Sequence, residues 1–461
     1  MTAPPRTPLK AVAAAALTAY RWLRRRGEAK LGVAVGGAAR LRVIALLALV
    51  IGLDSANNGT VGAVTVPLEQ AFHVSNTQIG LLVAISSGIG ALATLPFGVL
   101  TDHVNRTRML WVAVATWSLA MALSGCAPSY NWLLICRIAL AVVVAVAGPA
   151  IASLIGDFFA PQERGRIYGF VLAGEMVCAA AGLLVSGLIA ALSWRLAFWW
   201  LAVLGAVLAV VVAKRLPEPA RGGQSRIPIG ATRIGVAGER REAVTAPGDA
   251  GAGRTDAVAD EVLAQRIPPH HELVLTRNPK GRSLWWAVRY VLSIHTNVVL
   301  IAASSAGYFF LAGLGTFGVA FLRERFGVGQ SLATLMAGVI GLGGLVGVLS
   351  FGRIADWLVE RGYISARMTV AGIGFLIAVV FFIPALLSHS VGVTIGFAFL
   401  AAIGLGGVNP PLDAGRLDIM HSRLWGRAES VRTVLRSTSP RWRRCCSAGS
   451  LPNSARSARH F

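Results

Sequence analysis

Asp54 interrupts an apolar run in Gly52-Leu-Asp-Ser-Ala-Asn-Asn-Gly59, with Asn57 and Asn58 about one helical turn further on. On a helix these three side chains can line one wet face. An ionised carboxylate inside a bilayer is costly, and desolvation disfavours its charged form. Such a group can take up and release a proton, which is what coupling to a proton gradient requires. Arg137, just after Cys136 in another apolar run, keeps its charge and needs a carboxylate, backbone carbonyls or an anion beside it. Glu175, in Leu172-Ala-Gly-Glu-Met-Val-Cys178, suits proton carriage, pairing with Arg137, or a position at the leaflet edge where it reaches water. An Asp54 that only braces Arg137 is the structural alternative.

A second group of residues sits in turns. Gly98-Val-Leu-Thr-Asp-His-Val-Asn-Arg-Thr-Arg108 follows one apolar run, and Gly352-Arg-Ile-Ala-Asp356 follows another 254 positions later. Gly98 and Gly352 let helices approach. Asp102 and Asp356 can face a helix N-terminus, and Arg106 and Arg108 hold the turn on one side of a membrane. The same offset superimposes Gly59 on Gly313, Phe72 on Phe326, Gly90 on Gly344 and Phe97 on Phe351, so the chain reads as a duplication. Asp157, Glu163, Arg164 and Arg166 in the next turn can join Asp102 and Arg106 in charge clusters that form in one state and break when two halves rock. Tyr308 occupies the duplicate of the Asp54 position, which places the coupling chemistry in the first half. Asn409 and Asp413, beside Pro410 and Pro411, read as the end of a helix. The glycines from Gly338 to Gly347 read as a close-packing surface.

The elements that must position these residues are membrane helices. Of 461 residues 55% are hydrophobic and 14% charged, and about ten apolar runs approach the twenty residues that cross roughly 30 Å of hydrocarbon. The net charge of +22 is distributed rather than clustered on one patch. With the N-terminus inside, inner segments hold 34 Lys and Arg and outer loops three, or 21 against three without the long central loop. That asymmetry gives a multi-pass protein of the cytoplasmic membrane with a cytoplasmic N-terminus, and it removes the reason to invoke nucleic acid. The five cysteines form no disulfide framework, and metal, phosphate-loop, hydrolase and other cofactor signatures are missing, so no cofactor and no enzyme activity are expected. Residues 1–42 form a basic tail, 43–213 a first bundle, 214–290 a polar linker ending in an aromatic segment around Trp285, Trp286 and Tyr290, 291–437 a second bundle and 438–461 an aberrant tail.

The paired turns resemble the major facilitator superfamily of secondary transporters, Asp102 matching its most diagnostic loop motif and Asp356 the weaker second copy. The loop Gly156-Asp-Phe-Phe-Ala-Pro-Gln-Glu-Arg-Gly-Arg-Ile-Tyr-Gly169, followed by Trp194-Arg-Leu-Ala-Phe198, is similar to the Spinster-like branch. The resemblance covers about residues 41–436. It implies an all-α multi-pass fold of two pseudo-symmetric six-helix halves, and an arginine at Arg137 that tunes a nearby acid. It also implies a monomeric carrier that moves a small organic solute, amphipathic or lipid-like, by alternating access. Proton-driven antiport and efflux are the expected mode. No helix-five Gly-Pro signature of drug antiporters appears between Gly174 and Gly187. Where the family continues into its last helices, this chain runs Arg441-Trp-Arg-Arg-Cys-Cys-Ser447, which cannot span a bilayer. A frameshift near codon 440 is therefore expected, with about 10–11 spans and a truncated second half. The alternative is a transport-inactive or interaction-only membrane protein.

Overall fold

The computed structural model describes residues 37–190, 192–222, 275 and 279–438, and every regular element among them is helical. The first half holds α1 (Ala38–Ala63), a short α2 (Thr65–Phe72), α3 (Asn76–His103), α4 (Arg106–Gly125), α5 (Tyr130–Val144), α6 (Ala147–Phe158), α7 (Arg164–Ala190) and α8 (Trp194–Arg215). After the linker come α9 (Leu284–Ser293), α10 (His295–Phe326), α11 (Gln330–Glu360), α12 (Ala366–Leu387), α13 (Val391–Gly407), α14 (Asn409–Ile419) and α15 (Trp425–Thr438). The tail on which the frameshift expectation rests lies outside the described residues, as do 1–36 and most of the linker.

Local sequence starts and interrupts these helices. Ser75 and Gln78 cap α3 reciprocally, and Asn105 Oδ1 accepts the Arg108 amide at 2.7 Å to open α4. Pro149 lacks the N–H that would bond back one turn, and the α5–α6 axis breaks just before it. Pro410 does the same between α13 and α14. Here the sequence expectation is corrected: Val408 keeps helical dihedrals, so the chain is bent rather than ended, and α14 carries Asp413 on as far as Ile419.

Among the described residues, eight helical stretches are long and apolar enough to cross a membrane, or nine if the bent pair α9 and α10 is one span, against the ten runs read from the sequence. The missing one is α1, whose middle carries Asp54, Ser55, Asn57, Asn58 and Thr60. At about 1.5 Å per residue its 26 residues reach ~39 Å, enough to span, and it packs along α7. Leucines and valines such as Leu188, Leu192, Leu376 and Val379 stay exposed on the outer faces, where lipid would cover them. α9 meets α10 at a 91° bend, and its Trp286 and Tyr290 rings stack 5.3 Å apart while Trp285 stays open. That suits an amphipathic segment lying at the headgroup layer rather than the first turns of α10.

The duplication runs further than one offset. After the turns it continues at 261 rather than 254, because the second turn is seven residues longer: Arg106 matches Arg367, Pro149 matches Pro410, Asp157 matches Asp418 and Gly165 matches Gly426. The halves meet where α7 packs on α11 and α14, and where α15 packs on α3 and α6. Glycines set the separation. A Cβ on Gly165 would stand 2.8 Å from the Gly352 carbonyl oxygen, and one on Gly98 the same distance from that of Gly426. Gly343 and Gly347 pack closely on α13, whereas Gly338 and Gly341 meet no neighbour.

Candidate functional site

In the first half, the polar stretch of α1 faces α5 and α7. Arg137 is buried and donates to Asn57 Oδ1 at 2.6 Å, with its guanidinium 4.9 Å from the Phe198 ring centre. Its Nε and Nη2 meet no hydrogen-bond acceptor among the described residues. Neither acid braces it by an ion pair: Glu175 accepts from Ser55 Oγ at 2.9 Å, and half-buried Asp54 makes no ion pair within the described residues. Asn58 is exposed. Asp54 lines a cavity of about 30 Å³ with Val50, Leu53, Val114 and Trp117, and the buried Trp117 indole N–H has no hydrogen-bond partner among the described residues. That volume holds about one water, enough to wet the carboxyl from one side.

At the turn end of the molecule the two halves exchange equivalent contacts. Asp102, at the end of α3, places Oδ2 3.0 Å from Arg427 Nε and lies against Gly426 at the start of α15. Asp356, at the end of α11, accepts the Gly165 and Arg166 amides at 3.0 and 2.6 Å, at the start of α7. Since Gly165 and Gly426 are duplicates, each aspartate sits at the start of the same helix of the opposite half, Asp356 accepting its amides and Asp102 paired with Arg427. A carboxylate there gains from the unpaired N–H groups and the positive end of the helix dipole. Each half also has an internal pair, Arg106 with Asp157 and Arg367 Nε with Asp418 at 2.7 Å. Arg164 crosses between halves to Asp418 at 2.9 Å and lies 5.1 Å over the Trp425 ring. Glu163 pairs with Arg40 and, at 3.4 Å, with Arg166. Arg106 and Arg164 have no exposed surface, so loop anchoring is not their work; Arg108, in contrast, is exposed.

The start of the linker belongs to this cluster. Glu218 accepts from Arg106 Nε at 2.8 Å and from the Thr107 amide at 2.8 Å, Arg221 donates to the Thr101 and Val104 carbonyls, and the Gly222 amide donates to Asp157. Burial alone would raise the Glu218 carboxyl, but the Thr107 amide and the Arg106 guanidinium outweigh it and hold it below its usual value. A carboxyl depressed in the folded state stabilises above its unfolded pKa, about 4.3. That contribution is lost as pH falls through the lower folded value. Proteolytic cleavage within residues 217–222 should therefore stay slow at neutral pH and accelerate below about pH 4, and Glu218→Gln should be cleaved there at one elevated rate across the range. A wild-type rate independent of pH would contradict the strap.

A second four-membered ionic group has no counterpart in the sequence reading. Asp413 and Arg416 of α14 and Glu429 and Arg432 of α15 form a closed ring: Arg416 reaches Asp413 at 2.8 Å and Glu429 at 2.9 Å, and Arg432 reaches them at 2.6 and 2.7 Å. All four side chains are less than a tenth exposed. Ser304 of α10 lies 3.3 Å from Arg432. The ring adjoins the first half, where a Cβ on Gly148 would stand 3.9 Å from the Glu429 side chain and the buried Tyr168 hydroxyl has no partner among the described residues. The five arginines of 412–436 are among the Lys and Arg that the sequence places in inner segments. With α14 ending at Ile419 and α15 starting at Trp425, only the short link between them is left as loop, and Arg416, Arg427 and Arg432 are helix-borne and buried. No group of three or more potential metal ligands occurs among the described residues.

The family model described as Major Facilitator Superfamily matches residues 44–437. A probable L-galactonate transporter of Escherichia coli (strain K12) is 27% identical over 174 residues, 37% of this chain and 38% of that protein. A puromycin resistance protein of Streptomyces alboniger is 32% identical over 205 residues, 43% of this chain and 39% of that protein. The chain thus spans about two fifths of the length of these relatives. Among solved structures, a bacterial homologue of the human lysosomal transporter Spinster, inward-facing and unoccupied, aligns over 87% of this chain and 80% of that chain with a TM-score of 0.52 and 20% identity, a likeness of fold.

Proposed function

The chain belongs to the major facilitator superfamily, and on that premise we propose that it is a secondary active transporter that carries a small organic solute across a membrane by alternating access, driven by protons. The observation that carries this reading is the pair of matching contacts across the halves, Asp102 with Arg427 and Gly426 at the start of α15 and Asp356 with the Gly165 and Arg166 amides at the start of α7. Two equivalent contacts that join the halves at one end only are what a gate needs, because both break together when the halves rock. In this reading Gly98, Asp102, Arg106, Gly352, Asp356, Glu163 and Arg164 hold the gate shut. The basic turns lie in the cytoplasm of an inner-membrane protein, and the described state is closed to the cytoplasm.

Asp54 carries the coupling proton, with Glu175 as a second acid, and Arg137, fixed by Asn57, biases their proton affinity. Two acids that make no salt bridge among the described residues support this, since neither has to break one to take up a proton. The puromycin resistance named for one relative supports export of an organic solute, and the loop 156–169 supports a place near the Spinster-like branch. The full chain reconstituted in proteoliposomes should drive flux of at least one member of a panel of drugs, lipids and metabolites only when a pH gradient is imposed. Flux that ignores the gradient would remove the proton. No flux of any compound from a folded sample would favour an interaction-only protein.

A further inference from the structure

Arg436, near the end of α15, holds its guanidinium 4.2 Å over the ring of Tyr308 in α10. Its Nε is buried and meets no acceptor among the described residues. The neighbouring cation is different. Arg432, one turn earlier, is consumed by Asp413 and Glu429, and that ring of two acids and two bases is already neutral. Arg436 is thus an extra positive charge in the second half. Glu175, facing it from the first half, is within electrostatic reach but makes no ion pair with it, and its carboxylate is occupied by Ser55. Tyr308 is 39% exposed and occupies the duplicate of Asp54, so the two halves present different chemistry at one level: an acid on one side, an aromatic-backed cation on the other.

A guanidinium stacked on a ring keeps its edge free, and that edge fits the two oxygens of a carboxylate. A cation in a membrane bundle is costly until an anion meets it. We propose that the transported solute is an organic anion and that Arg436, backed by Tyr308, receives its carboxylate. The assignment rests on the carrier reading above and adds the substrate class to it. Sequence reading had set Tyr308 aside as a lost acid; stacked under Arg436 it orients the cation instead.

The test uses the purified full chain in lipid nanodiscs and a fixed panel of aromatic and aliphatic monocarboxylates, each paired with its primary amide. Thermal shift and titration should find carboxylates that stabilise the protein while their amides do not. Arg436→Gln should weaken their binding at least tenfold, and Arg436→Lys should retain part of it. Tyr308→Phe keeps the stacked ring and should bind within a factor of a few of wild type, whereas Tyr308→Leu should weaken binding. The melting temperatures of the unliganded variants separate loss of folding from loss of binding. Equal stabilisation by acids and amides, no shift by any carboxylate, or undiminished binding to folded Arg436→Gln would overturn the assignment. Proton-driven flux confined to neutral or cationic compounds would overturn it while leaving the carrier intact. Arg436-dependent carboxylate binding with no flux would do the reverse.

Discussion

Asp54→Asn should reduce gradient-driven accumulation to the level measured without a gradient, while exchange of solute for solute continues. Asparagine keeps the size of the side chain and can still hydrogen-bond, but it cannot ionise. In the structure the Arg137 guanidinium donates to Asn57 at 2.6 Å and makes no salt bridge to Asp54, so the substitution removes a proton site and leaves that hydrogen bond in place. Transport that needs a proton to reload the empty carrier should fail; exchange, which never returns the carrier empty, should not. Equal loss of both activities would mean that Asp54 is a structural brace. Glu175→Gln provides the companion measurement, because Glu175 is held by Ser55 and is likewise free of an ion pair with Arg137.

Asp413→Ala should cost about 3–5 kcal/mol of stability, the usual effect of removing one partner from a buried ionic group. Asp413 takes a hydrogen bond from Arg416 at 2.8 Å and from Arg432 at 2.6 Å, with both arginines almost fully enclosed. Its loss leaves Glu429 alone against two guanidinium groups. Equilibrium unfolding in detergent would measure the cost. A double-mutant cycle with Arg416→Met should show a coupling of roughly 1–3 kcal/mol, because the second change removes one of the stranded charges. A loss near zero for Asp413→Ala would mean the ring contributes no net stability to the second half.

What could be read in the sequence divides along physical lines. The hydrocarbon thickness dictates span length, so most helices appear as apolar runs, and a turn such as Gly98 to Arg108 stands out because charge is rare beside it. The first helix reads as an apolar run although Asp54, Asn57 and Thr60 dilute its hydropathy below that of the other spanning segments. The second half of the duplication was harder. The longer turn between Asp356 and Arg367 shifts the register from 254 to 261, which hides the matches of Arg106 to Arg367 and Asp157 to Asp418. Burial of Arg416, Glu429 and Arg432 could not be read from composition, because dense charge looks like solvated loop until tertiary packing closes it into a neutral ring. A signal existed in the spacing: Asp413 to Arg416 and Glu429 to Arg432 are each three apart, on one helix face. The same problem affects Arg106, whose charge reads as holding its turn on one side of the membrane although its side chain is fully enclosed.

The account depends on two halves joined at the turn end by Asp102 and Asp356. The most direct test is the distance between spin labels on Arg108→Cys and Tyr363→Cys, two exposed positions on opposite halves beside the turns, with the five native cysteines replaced. Each aspartate is expected to contribute up to about 2 kcal/mol at a partly buried helix start. Loss of both should therefore change the ratio of closed to open molecules by more than about tenfold, the effect of 1.4 kcal/mol. The wild-type protein should give mainly a short distance, and Asp102→Asn with Asp356→Asn should move most of the population to a longer one. A distribution that is the same in both proteins would contradict a gate held shut by these two residues.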